Sequence, residues 1–370
     1  MFREVLEGNS PGGSGRPLKI GVLTFHRCIN YGSYWQARSL VEGLKARGHD
    51  VALLNYECPR TDRIEWRCAM QPLLPRRSSR RDIRLYARKA RAFQDAIACL
   101  PLSAPFPLRE PSAMEPCDLV VIGSDEVWNL CHPWYGGYDL FWGGGIPARR
   151  VVSYAASFGN YDAVAGIGGH WSERLHQFDA ISVRDDNSRQ LVSSVIEREP
   201  ELVLDPVLQF PVALGSRSGE AGEEPYAVLY GHSFSDEFAR AARRWADDRK
   251  LKLVSVGYRN DWAHEHRMDA DPFEFTELVA GSRAVLTNFF HGCVFSLLHE
   301  KPFACAASIY RMNKVRDLTR ALGAEAHLLP GDAAPERFAA ALDRPLSPRI
   351  GEAIAGMRRQ SEAYLQAIGV

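Results

Sequence analysis

Short apolar runs alternate with helical stretches along most of this chain, and that alternation constrains the fold more than any other feature. Leu18 to Phe25 reads as a buried strand, His26 to Tyr34 as a polar loop, Trp35 to Arg47 as a helix closed by Gly48, and Val51 to Tyr56 as a second strand. A strand–helix–strand opening predicts a parallel sheet. Further strands are expected over Asp118 to Ile122, Arg150 to Tyr154, Phe178 to Val183 and Leu202 to Leu204, with a helix over Asn187 to Ile196.

The pattern breaks once and then resumes. Pro211 to Pro225 is Gly, Ser, Glu and Pro with little apolar content, and it reads as a linker. Tyr226 to Tyr230, Leu251 to Val256, Ala284 to Thr287 and Pro302 to Ala306 are then expected as strands. Helices are expected over Asp236 to Asp248, Pro272 to Ala280, Val294 to His299 and Val315 to Leu322. Asp271 caps the second of these and Pro272 takes its first position. The 370 residues exceed one ordinary core, so two domains follow. The expected division is a disordered tail over 1–17, an α/β domain over 18–210, the linker over 211–225, a second α/β domain over 226–330, and C-terminal helices over 331–370. The expected fold class is α/β, two Rossmann-like domains in a GT-B-like arrangement, with the C-terminal helices packing back across the hinge. A dinucleotide fold would need G-x-G-x-x-G between the first strand and helix, and neither domain opens with it.

Composition excludes several function classes. Lys plus Arg and Asp plus Glu are 45 each, which gives no general case for nucleic-acid binding. The eight cysteines form no C-x-x-C pair, which favours reduced thiols over a disulfide framework or zinc site. The polar N-terminus lacks the apolar core of a signal peptide, and no segment is long and apolar enough to span a bilayer. The expectation is a cytoplasmic protein, free or at the inner face of the membrane, with no metal and no cofactor. The Arg76 to Phe93 segment crowds arginines beside Ile83, Leu85, Tyr86 and Phe93. A basic amphipathic helix of this kind suits either an anionic membrane surface or a solvated helix face.

Strand-end loops carry the candidate chemistry, because open α/β sheets bind ligands there. His291 stands between a strand and a helix, where an imidazole can give or take a proton near neutral pH. The helix start after Gly292 suits an anion. Asn30-Tyr31-Gly32-Ser33 reads equally as a ligand contact or as a turn with Gly at positive φ. Ser124-Asp125-Glu126 follows a strand and suits sugar hydroxyls, a base, or helix capping. Arg184 can clamp a carboxylate or pair with Asp185 or Asp205. The aromatic run Trp134 to Trp142 fits a carbohydrate platform or buried packing.

Taken together, these motifs resemble the polysaccharide pyruvyl transferase family. The residues that carry the resemblance are Ile20 to Phe25, Asn30-Tyr31-Gly32 with Gln36-Ala37, Ile122 to Asn129, Ser153 to Gly159, Ile181 to Asp185, Leu204-Asp205-Pro206, and Phe290-His291-Gly292 with Phe295-Ser296 and Lys301-Pro302-Phe303. They keep the family's order over most of the chain. The resemblance implies transfer of the enolpyruvyl group of phosphoenolpyruvate to a sugar of a cell-surface polysaccharide or its lipid-linked precursor, forming a pyruvate ketal. It implies His291 as acid/base, Arg184 on the donor carboxylate, and Lys314, or its neighbours Arg311 or Arg316, with the Gly292 helix start, on the donor phosphate. Asn30, Tyr31, Ser124, Asp125 and Glu126 are the expected acceptor contacts. Two positions depart from the family's usual pattern: Glu126 stands where Gln is common, and Phe289 where small polar or basic residues are common. Two other readings stay open, a GT-B glycosyltransferase using a nucleotide sugar and a non-catalytic glycan-binding member.

Overall fold

The computed structural model describes residues 16–211, 224–306 and 308–370. The expected tail up to residue 15 and the core of the expected linker lie outside the described residues.

The first half of the chain supplies β1 (Lys19–Leu23), α1 (Tyr31–Lys45), β2 (Asp50–Leu53), β3 (Tyr56–Glu57), α2 (Pro59–Met70), α3 (Arg80–Ala98), β4 (Phe106–Pro107), β5 (Cys117–Ile122), β6 (Ala148–Ser153), α4 (Gly169–Leu175), β7 (Ser182–Val183), α5 (Asp186–Ser193), β8 (Glu201–Leu202) and α6 (Pro206–Gln209). Its main sheet has the order β2-β1-β5-β6, every pair parallel. The second half supplies β9 (Tyr226–Tyr230), α7 (Asp236–Asp248), β10 (Lys252–Val256), β11 (Glu265–Arg267), α8 (Pro272–Gly281), β12 (Val285–Thr287), α9 (Phe290–Leu298), β13 (Phe303–Cys305), α10 (Ile309–Leu322), α11 (Pro335–Leu342) and α12 (Pro348–Ala367). These strands form the parallel sheet β11-β10-β9-β12-β13. The fold is α/β with two Rossmann-like, GT-B-like halves. In each sheet the first strand lies inside, with later strands added on both sides. The order therefore reverses beside β1 and beside β9, which opens a crevice at their carboxyl ends.

Aromatic side chains of α1 tie the halves together. Tyr31 stacks on Phe275 of α8 at 4.3 Å, and its hydroxyl donates to the Ala270 carbonyl at 2.7 Å. Trp35 donates from Nε1 to the Pro272 carbonyl at 2.9 Å. Phe275 and Phe295 are fully buried in the same cluster. Each contributes roughly 1.5–3 kcal/mol relative to exposure. Helix α12 returns to the first half, where the Tyr364 hydroxyl donates to the Ser153 carbonyl at 2.6 Å and Arg358 Nε to the Leu208 carbonyl at 2.8 Å. Helix α11 stays with the second half, packed on α7 and β13.

Several helices begin earlier than the sequence suggests. Helix α1 starts at Tyr31, because the Asn30 side chain caps it by accepting from the Gly32 and Ser33 N–H groups. Gly32 is therefore helical, not a turn glycine. Helix α9 starts at Phe290 and α10 at Ile309, each without a side-chain cap hydrogen bond. The arginine-rich α3 turns Tyr86 and Phe93 inward and leaves Arg80, Arg81, Arg84 and Arg91 exposed. It is fastened to the second half through ion pairs of Arg88 with Asp269 and of Asp82 with Arg259. Among the described residues no helix is long and apolar enough to cross a membrane.

Candidate active site

The crevice holds a cavity of about 300 Å³ lined from both halves. His291 lines it from the first turn of α9. The Thr287 hydroxyl at the end of β12 shapes that turn by accepting from the Phe289 N–H at 3.0 Å and donating to the Tyr230 carbonyl at 2.6 Å. A Cβ on Gly292 would overlap the Thr287 Oγ1, so Gly292 is what lets α9 seat on its strand. Gly292 packs there and does not line the cavity, contrary to its expected part in donor binding. A Cβ on Gly32 would overlap Nδ1 of His291. Gly32, far away in sequence, thus makes room for the imidazole, while Gly292 makes room for Thr287 beneath it.

Behind His291 lies a buried charge network. Nε2 of His291 is 3.5 Å from Asp205 Oδ2, without a well-formed hydrogen bond. The same oxygen accepts from Arg184 Nη1 at 2.8 Å. Arg184 Nη1 also reaches Ser124 Oγ at 3.2 Å, and Nη2 reaches Asp125 Oδ1 at 3.3 Å. Burial pushes the Asp205 carboxyl up, but His291 and Arg184 outweigh it and hold it at about 2. Burial works against the Arg184 charge, yet Asp205 and Asp125 raise its pKa overall. Its side chain is 1% exposed, and it stacks on Phe290 at 4.5 Å. Arg184 was expected to clamp the donor carboxylate. Its guanidinium instead lies behind the cavity wall, with both Nη atoms turned to this chain's own carboxylates.

Asp125 lines the cavity from a left-handed backbone position (φ 71°) and accepts from the Ser33 hydroxyl at 2.7 Å. Glu126 beside it pairs with Lys314 and accepts from Asn129 Nδ2 at 2.8 Å. Burial raises the Glu126 carboxyl, but the Lys314 charge and hydrogen bond win and bring it down to about 2. A Cβ on Gly159 would overlap this carboxylate, which accounts for the glycine that ends the Ala155 to Gly159 motif. Lys314 faces the cavity from within α10, not from its start. Asn30 also lines the cavity, though its side-chain oxygen is engaged as the α1 cap. Tyr31 and Ser124, expected as acceptor contacts, are fully buried and do not line it. Of the aromatic run, Tyr135, Phe141 and Trp142 are core, while Trp134 reaches the cavity and donates to Glu65 at 2.8 Å. Among the described residues no group of His, Cys, Asp or Glu is placed to hold a metal ion.

A family model described as polysaccharide pyruvyl transferase matches residues 30–308. The chain belongs to that family. Membership places it among the transferases of polysaccharide biosynthesis. No curated protein matches the chain. Among solved structures it is similar to a UDP-GlcNAc 2-epimerase from Methanocaldococcus jannaschii, at 12% identity over 95% of this chain and 99% of that one, TM-score 0.49. It is also similar to the S. aureus MnaA–UDP co-structure, at 11% identity over 90% of each chain, TM-score 0.47.

In this family member, several residues outside the sequence motifs also line the cavity. Lys89 of α3 lines the cavity; its signal was a lysine in phase with Tyr86 and Phe93 on the buried side of an arginine-rich helix. His232 and Tyr258 follow β9 and β10 and carry no motif at all. Arg311, the alternative to Lys314 on sequence grounds, also faces the cavity.

Proposed function

We propose that this pyruvyl transferase moves the enolpyruvyl group of phosphoenolpyruvate onto two hydroxyls of a surface-glycan sugar or its lipid-linked precursor. The observation that carries the reading is His291, an imidazole in a two-walled cavity at the strand ends of a chain matched by the family model. The reaction needs two carbon–oxygen bonds formed at the enol carbon and the bond from that carbon to the bridging phosphate oxygen broken. One hydroxyl proton ends on the vinyl carbon, making a methyl group, and the other leaves with phosphate. His291 is positioned to move one of these protons. Asp205, facing Nε2, favours a proton on that nitrogen and leaves Nδ1, over the start of α1, to exchange with substrate. Asp125 offers an acceptor for a sugar hydroxyl on the same wall, where Lys314 and Glu126 stand as a mutual ion pair. The test is phosphate release from phosphoenolpyruvate with glycan or lipid-linked acceptors. Release dependent on acceptor and lost in His291→Ala supports the reading; no release with any such acceptor removes it.

A further inference from the structure

The charges around the cavity do not cancel. Lys314 is matched by Glu126, and Arg184 by Asp205 and Asp125. Lys89 and Arg311 also line the cavity, and among the described residues neither lies within ion-pair distance of a carboxylate. Lys89 Nζ donates to the Gly257 carbonyl at 3.1 Å and otherwise sits 4.7 Å from the Tyr31 ring and 4.6 Å from the Tyr258 ring. The Arg311 guanidinium lies 4.5 Å from the Phe289 ring. Phe289, Tyr258 and His232 pack on one another, at 5.3 Å for Tyr258 with Phe289 and 5.4 Å for His232 with Phe289. One aromatic cluster therefore carries both cations.

We propose that Lys89 and Arg311 form a subsite that binds a phosphoryl group through its oxygens. A buried ammonium without a counterion costs free energy, and an incoming anion removes that cost. The guanidinium can grip two phosphate oxygens at once while the ammonium acts as a point charge. The surroundings fit: burial lowers the Lys89 pKa to about 7, and burial also lowers that of Arg311. His232 is brought down to about 4, first by burial and then by these two cations, so it stays neutral and adds a polar contact without a third charge. Phe289 supplies the platform that brings the Arg311 cation to this wall. The subsite rests on the proposed function only for the phosphate's source, which is either the donor or a phosphate on the acceptor.

Direct binding tests the subsite apart from catalysis. Inorganic phosphate and phosphoenolpyruvate are titrated calorimetrically into wild type, Lys89→Met, Arg311→Met and His291→Ala at fixed ionic strength. Wild type and His291→Ala are expected to bind phosphate alike, and each cation variant to bind it about tenfold or more weakly, the loss of a charge-assisted contact. Should either Met variant misfold by circular dichroism, Lys89→Gln and Arg311→Gln make the same comparison. In transfer assays, a raised KM for phosphoenolpyruvate in Lys89→Met assigns the subsite to the donor; a raised KM for the acceptor alone assigns it to an acceptor phosphate. Unchanged phosphate affinity in both cation variants, or no phosphate binding to wild type, overturns the subsite. Phosphate binding without any pyruvyl transfer leaves the subsite standing and removes the proposed function instead.

Discussion

Nε2 of His291 lies 3.5 Å from Oδ2 of Asp205, and that oxygen is also the acceptor for Arg184. One carboxylate from the Leu204-Asp205-Pro206 motif therefore joins an imidazole at the cavity to a guanidinium behind it. Removing the imidazole should abolish proton transfer while leaving the arginine pair intact. His291→Ala is expected to slow transfer by ~100- to 10,000-fold. Melting temperature and phosphate affinity should stay near wild type.

Arg184 predicts a different outcome. Arg184→Met leaves Asp205 and Asp125 buried without their cation. The expected loss is about 3–5 kcal/mol of stability. Denaturant unfolding reads it directly. Normal stability with only a raised KM for phosphoenolpyruvate would show instead that the guanidinium reaches the donor.

The Glu126–Lys314 pair gives a pH signature. The Glu126 carboxyl is held at about 2, below its ordinary value of 4.5. Its stabilisation is thus fully present above pH 4.5 and lost as pH falls toward 2. Lys314→Met strands the buried carboxylate and should destabilise at neutral pH. Glu126→Gln added to it should restore most of that loss, as a double-mutant cycle by thermal unfolding would show.

Gly32 is predicted to act only through His291. Alanine favours a helix over glycine by about 1 kcal/mol. Yet a Cβ here overlaps the imidazole. Gly32→Ala should lower transfer activity sharply, and adding it to His291→Ala should cost nothing further. Additive losses in the rates would mean that Gly32 serves some other contact.

Lys89 should oppose stability. Its pKa falls from 10.5 to about 7 through burial. The penalty is full below pH 7 and fades as pH rises toward 10.5. Lys89→Met is expected to raise the melting temperature at pH 7 and below, with the gain shrinking in alkali. A structural lysine would give the opposite sign.

Most strands were legible, because buried parallel strands read as unbroken apolar runs, as in Leu119 to Ile122; the two-residue strands β3 and β4 and the polar edge strand β11 were not. Helix starts were less legible. Phe289 is not a capping residue type, so nothing in sequence marks where α9 begins, and Ser308 before α10 is one but makes no capping side-chain hydrogen bond. Asn30 did mark the start of α1, but Gly32 two residues later pointed to a turn. The short motifs located the wall of the site. They did not tell which members face inward: Asp125 and Glu126 line the cavity, while Ser124 in the same run is sealed behind it.

By itself the sequence determined the alternation of strand and helix, the parallel sheets it enforces, and the strand ends where His291 and Asp125 stand. Those follow from local periodicity and chain connectivity. Only the tertiary structure decided which charges are spent and which are free. Arg184 and Lys314 are neutralised by carboxylates brought from other elements, whereas Lys89, 168 positions from the carbonyl it touches, is left facing the cavity without one. Pairing depends on distance in space, and distance along the chain does not report it.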